Sequence, residues 1–126
     1  MQVVYKIWLD LNGIAFGEGP YRLLKGVEMT GSLFQAATAM EMTYKKALHL
    51  ISGCERTLGF ALIHRKIGGP HGGGSQATRR AVKLMVKYEQ LRAQAEETLA
   101  EAYRKHFGEP AEVLHKVTIR TRKPVK

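Results

Sequence analysis

Apolar and polar residues alternate from the start of the chain. Val3, Tyr5, Ile7, Leu9 and Leu11 fall on one side and Val4, Lys6, Trp8 and Asp10 on the other, a period of two that predicts a strand over 3–11. Asn12-Gly13 suits the positive dihedrals of a two-residue hairpin turn, so 14–16 is expected to return as a short second strand. The period then lengthens. Pro20 can open a helix, where its missing amide does no harm, with Leu23, Leu24 and Val27 inward and Gly31 as its stop. Ser32 is a good cap for a short helix holding Leu33, Ala36, Ala37 and Met40, and Thr43 for a third over about 44–58. Only Glu41 and Met42 separate these two. So short a connection, with small alanines where a partner must approach, is a helix-turn-helix pattern. A strand over 60–67, a glycine-rich tip over 68–74 and a strand over 75–77 follow. Thr78 then caps a long helix, about 78–107, stopped by Gly108 and Pro110. The predicted fold is α+β and mainly helical, a winged helix-turn-helix over 1–108 with an N-terminal β-hairpin, a long C-terminal dimerisation helix and a basic tail over 109–126.

Composition narrows the partners. The chain has 126 residues, 44% of them hydrophobic, enough for one core. Twenty Lys and Arg against eleven Asp and Glu leave a net charge of +9, which favours polyanions: nucleic acid or an anionic membrane. No apolar run approaches the roughly 20 residues that cross a bilayer, and no signal-peptide pattern opens the chain. The lone Cys54 cannot form an intramolecular disulfide. A cytoplasmic protein that binds no membrane is expected.

Catalytic chemistry finds few candidates. Asp10 is the only aspartate, and Glu89, Glu96, Glu97 and Glu101 read as solvated charges on the long helix. His49, His64, His71, His106 and His115 lack metal-ligand spacing, and Cys54 is assigned to the core. Neither an enzyme, a metal site nor a cofactor is expected.

The third helix directs Ala47, Leu48, Ile51, Cys54 and Leu58 to one side and Lys45, Lys46, His49 and Ser52 to the other. A cationic outer face is what a helix in the major groove requires, although a solvated face would look the same. The stretch 65–80 adds Arg65, Lys66, Arg79 and Arg80 around five glycines, including Gly72, Gly73 and Gly74, with no acidic residue between. Glycines allow close backbone approach to phosphates and the cations supply counter-charge. A nucleotide-binding loop is disfavoured, because Ser75-Gln76 stands where a Lys-Ser or Lys-Thr pair would be needed. Along the long helix, Leu84, Tyr88, Leu91, Ala95 and Ala102 form a stripe with Met85 and Leu99 beside it. About 30 helical residues extend roughly 45 Å, more than one small domain covers, so Leu84, Tyr88, Leu91, Ala95, Leu99 and Ala102 are expected to meet a second copy.

The run Thr30-Gly-Ser-Leu-Phe-Gln-Ala-Ala37, then Thr43-Tyr-Lys-Lys-Ala47, then Arg65 with GGPHGGG over 68–74 and Thr78, resembles the N-terminal DNA-binding domain of the ModE-type molybdate-responsive regulators. The helix-turn-helix is also similar to that of LysR-type regulators, but the glycine wing is particular to the ModE type. The resemblance implies a dimeric winged helix-turn-helix with its third helix in the major groove and its wing along the backbone. It implies contacts from Ser32, Gln35, Thr43, Tyr44, Lys45, Lys46, His49, Arg65 and the wing glycines, to which charge adds Lys66, Arg79 and Arg80. Pro70 and His71 depart from the Lys or Arg and Gly usual there, and Lys66 adds a charge nearby. Full regulators of this type bind molybdate or tungstate in C-terminal domains, for which 126 residues leave no room. Direct oxyanion sensing is therefore not expected, and a separate effector-sensing protein would be the natural partner. The tail over 109–126 is expected to be disordered, with a strand over 113–119 or a DNA-gripping arm as alternatives. The expected function is a regulator that reads double-stranded DNA as a homodimer; the alternative is an architectural nucleic-acid-binding protein without sequence preference.

Overall fold

The N-terminal alternation serves two different sheets. In the computed structural model, which describes residues 1–66 and 74–116, β1 (Gln2–Tyr5) pairs in parallel with β6 (Glu112–His115), whereas β2 (Trp8–Asp10) pairs antiparallel with β3 (Ile14–Gly17). The single strand expected over 3–11 is thus broken at Lys6 and Ile7, because its halves have different hydrogen-bonding partners. Val3, Tyr5, Ile7 and Leu9 do share a half-buried side, but Leu11 is exposed. It already belongs to the turn. With Asp10 opposite Ile14 the loop holds three residues, not two; Asn12 takes φ 54° and Gly13 φ 139°, and Asp10 Oδ1 accepts the Gly13 amide at 2.9 Å.

Helix α1 (Glu18–Thr30) begins two residues before Pro20, which costs nothing because proline's missing amide still lies in the unbonded first turn. It buries Tyr21, Leu23, Leu24 and Val27 and ends on left-handed Gly31. Helices α2 (Leu33–Ala39) and α3 (Tyr44–Leu58) follow, their first turns capped by Ser32 Oγ accepting from the Gln35 amide and Thr43 Oγ1 from the Lys46 amide, each at 3.1 Å. Glu41, at φ 56°, reverses the chain between them. The α1–α2 crossing is close at Gly26, where an added Cβ would stand 2.5 Å from Ala36 Cβ. Overpacking of this kind costs about 1–3 kcal/mol, against about 1 kcal/mol returned by alanine's better helix propensity. Gly26→Ala should therefore lower the denaturation midpoint, with favourable coupling to Ala36→Gly in a double-mutant cycle. Additive effects of the two changes would show that the crossing adapts freely.

Strands β4 (Ile63–Lys66) and β5 (Gly74–Ala77) form an antiparallel hairpin. Residues 67–73, its connection, lie outside the described residues. The strand expected from residue 60 starts later because Glu55 Oε2 takes the Leu62 and Ile63 amides, at 2.7 and 3.3 Å. Helix α4 (Arg79–Phe107) is tied to the segment between α3 and β4 by Thr78, whose hydroxyl donates to the Ala61 carbonyl at 2.7 Å while accepting the Ala81 amide at 3.1 Å.

The core joins Phe16, Leu23, Leu24, Val27, Ile51 and Leu62 to Ala81, Met85 and Tyr88 of α4. Tyr88, expected at a dimer interface, is instead 1% exposed, its ring edge-on to Phe16 at 5.4 Å and tilted against Tyr21 at 5.3 Å. This corrects the predicted stripe: Leu84 packs at the edge of the same core, Ala95 and Leu99 are half-buried, and Leu91 and Ala102 are exposed. Part of the expected tail is also ordered into the fold, since β6 lies on β1 and against α4. Residues 117–126 lie outside the described residues.

Candidate nucleic-acid interface

The first two turns of α3 carry the cations the sequence assigned to them. Lys45 and His49 are exposed and Lys46 is half-buried, because Ala47, Ile51 and Cys54 on the opposite side anchor the helix in the core. With Thr43, Leu50, Arg56 and Thr57, and Ile14 from β3, Lys45, Lys46 and His49 line an open groove of about 700 Å³. Arg56 was missed by sequence reasoning, although a cation in the last turn of a helix is favoured by the helix dipole.

Elements β4 and α2 extend this surface. Arg65, exposed on β4, donates from Nη2 to the Tyr44 hydroxyl at 3.0 Å, joining the hairpin to the first residue of α3. The Tyr44 ring lies 6.3 Å from that of Phe34, a phenylalanine 62% exposed on α2. Phe34 too was missed, although burial of Leu33, Ala36 and Ala37 leaves residue 34 on the outer side by helical spacing alone. Gln35 is exposed close by, while the Ser32 and Thr43 oxygens are engaged as helix caps. Arg79 and Arg80 are exposed in the first turn of α4, where the helix dipole disfavours positive charge; the Arg80 guanidinium sits 4.1 Å over the Phe60 ring. Lys66 ends β4, and Gly72 and Gly73 lie outside the described residues.

Gly74 has a packing role that its assignment to DNA contact did not anticipate. A Cβ there would stand 2.6 Å from the Gly31 carbonyl oxygen, which also accepts the Ser75 amide at 2.8 Å. Only a residue without a side chain lets β5 lie this close to the end of α1.

A second polar cluster surrounds the buried Glu18. Glu18 accepts hydrogen bonds from Tyr88 at 3.0 Å, from Arg22 at 3.1 Å and from Arg92 on both oxygens at 3.0 and 2.9 Å. His115 Nδ1 is 2.9 Å from Glu18 Oε1, within ion-pair range, while Nε2 accepts the Ile7 amide at 3.0 Å. Burial holds this imidazole below 6.5, the Glu18 carboxylate only partly opposing it. Glu96 accepts from Tyr5, whose hydroxyl is pushed up to about 12 by burial and by that carboxylate. Glu89 pairs with Tyr21 and Lys25. Glu89 and Glu96 are therefore bonded across the fold, which corrects their reading as simple solvated charges. The cluster joins α1, α4, β1 and β6, which made it invisible to local patterns.

Burial pushes the Cys54 thiol up to about 11, so it is not a thiolate near neutral pH. Among the described residues no group of three or more His, Cys, Asp or Glu could hold a metal ion, and no helix is long and apolar enough to cross a membrane.

No family model matches the chain. It is 28% identical over 113 residues, 90% of its length and 42% of the relative's, to the molybdenum-pterin-binding protein MopB of Rhodobacter capsulatus. It is 34% identical over 70 residues, 56% of its length and 28% of the relative's, to the transcriptional regulator ModE of Haemophilus influenzae. Against the molybdenum transport protein ModE of Azotobacter vinelandii it is 30% identical over 87 residues, 69% of its length and 32% of the relative's. The chain thus spans 26% to 42% of the lengths of the curated relatives it matches, none of which is named as an enzyme. Over 55% to 90% of its own length this chain is homologous to proteins named ModE and MopB, the relationship its helix-turn-helix and glycine motifs predicted, consistent with an N-terminal ModE-type DNA-binding domain.

Proposed function

We propose that this chain is a winged helix-turn-helix that binds duplex DNA as a homodimer and regulates transcription. In this reading α3 enters the major groove, the β4–β5 hairpin is a wing lying on the phosphate backbone, and Arg79 and Arg80 add phosphate contacts. The observation that carries it is the union of the two surfaces: the exposed cations of α3 and Arg65 of the hairpin lie side by side, joined through the Tyr44 hydroxyl. A helix that offers its N-terminal half while its other face is rooted in a core is the geometry that reads base edges. The relatives named transcriptional regulators support the same role. Dimerisation falls to the rest of the expected stripe, the exposed Leu91 and Ala102 and the half-buried Ala95 and Leu99, with Leu84 at their edge. Two-fold symmetry would set two copies of α3 about one DNA turn apart and favour a pseudo-palindromic site.

Selection of bound fragments from a random duplex pool, with and without molybdate, tests this reading. One pseudo-palindromic sequence should be enriched, and its binding should weaken steeply with salt. Lys45→Ala should relax selection at the bases it reads, at about 1–3 kcal/mol, whereas Arg65→Ala should weaken all sequences alike. Equal affinity for every duplex would replace regulation by an architectural role, and absence of duplex binding would end both. The molybdate arm reports whether this chain answers to the oxyanion.

A further inference from the structure

We infer that Tyr44 is a positioning residue, which holds the Arg65 guanidinium so that the wing meets phosphate in fixed register with the bases facing α3. This rests on the DNA-binding reading and assigns Tyr44 a role within it other than direct contact. Tyr44 is the first residue of α3 and packs at the edge of the core, so its ring moves with the helix. Phe34 of α2 lies beside that ring, and Arg65 of β4 donates to its hydroxyl at 3.0 Å. Three elements of the cationic surface therefore meet at one side chain. Among the described residues Arg65 has no carboxylate within ion-pair distance, and this makes the chemistry of the tether informative. A carboxylate would fix the guanidinium but cancel the charge that attracts phosphate. A neutral hydroxyl fixes its direction, occupies one of its five donors and leaves the full positive charge and the other donors for a ligand. An arginine held in this way loses less side-chain freedom on binding.

Tyr44→Phe keeps the ring and removes only the tether. The measurement is affinity for a labelled random-sequence duplex pool over a series of salt concentrations, for wild type, Tyr44→Phe, Arg65→Ala and the double variant, with thermal unfolding of each. Arg65→Ala should weaken binding about tenfold, as expected for one charge-assisted contact, and flatten the plot of log affinity against log salt by about 0.9. Tyr44→Phe should weaken binding about two- to tenfold, by the side-chain freedom Arg65 must then give up on binding, with the salt slope and the unfolding temperature unaltered, and should add nothing once Arg65 is alanine. Disappearance of the Tyr44→Phe loss in the Arg65→Ala background is the readout that a merely structural role would not give. Three results would overturn the inference: wild-type behaviour of Tyr44→Phe, no effect of Arg65→Ala, or losses that multiply in the double variant, which would make Tyr44 an independent contact. If wild type binds no duplex at all, the DNA-binding reading falls and the inference with it.

Discussion

Replacing Glu18 with alanine should destabilise the protein by about 3–5 kcal/mol, the cost of breaking a buried ion pair from one side. The Glu18 side chain is 6% exposed and Arg92 26%, so the guanidinium would lose its carboxylate where water reaches it poorly, while the Tyr88 hydroxyl would fall back on the Ile7 carbonyl at 3.3 Å. The Arg22 contact adds little, since that side chain is half in solvent. Urea denaturation at neutral pH should show the loss as a lower midpoint with an unchanged slope. A midpoint within error of wild type would mean that the cluster is dispensable.

The same carboxyl gives the stability a definite acid dependence. Burial opposes ionisation of Glu18, but hydrogen bonds from Arg22, Arg92 and Tyr88 outweigh it and hold the group below 4.5. Its folded value lies below its unfolded one, so its contribution is complete above about 4.5 and is lost as pH falls through the folded value. His115 acts earlier and in the same direction. Its neutral form is favoured in the fold, so stability is lost as pH falls from 6.5 through its lowered value. Wild type should show both acid steps. Glu18→Gln should abolish the lower one and enlarge the upper, because the charge that partly supports protonated His115 is gone.

Gly74→Ala should cost about 1–3 kcal/mol, the range for overpacking against an element that cannot yield. The obstacle is the Gly31 carbonyl oxygen 2.6 Å from the new methyl group, fixed at the end of α1 and bonded to the Ser75 amide. Relief requires β5 to move away, carrying the hairpin that bears Arg65. Thermal unfolding should therefore fall together with duplex affinity. Unchanged unfolding with weaker DNA binding would return Gly74 to the role of a phosphate contact.

Elements whose signals are local were legible in detail. Ser32, Thr43 and Thr78 were identified as caps because a hydroxyl there meets the amide three residues ahead, as it does in each case. Gly31 and Gly108 were identified as stops because the left-handed turn they make, at φ 73° and 75°, suits glycine. Part of the candidate interface was legible for the same reason: the division of α3 into an anchored and a cationic face follows from helical spacing. Phe34 obeys that spacing too, but an exposed aromatic residue is easily taken for core when only hydrophobicity is weighed.

Contacts between distant segments were not legible. Nothing near Val3 reveals that it pairs with Val113, and nothing near Glu18 reveals that residues 88, 92 and 115 close around it. Tyr88 fitted an interface stripe by spacing, yet its ring fills the space between Phe16 and Tyr21. The sequence by itself determined the helices, their caps, the order of elements and the cationic face of α3, since each depends on residues within about one helical turn. Only the tertiary structure decided the sharing of the N-terminal strand between two sheets, the burial of Glu18, the packing role of Gly74 and the joining of Arg65 to Tyr44. Those outcomes depend on which surfaces meet when the core closes, and that is a property of the whole chain.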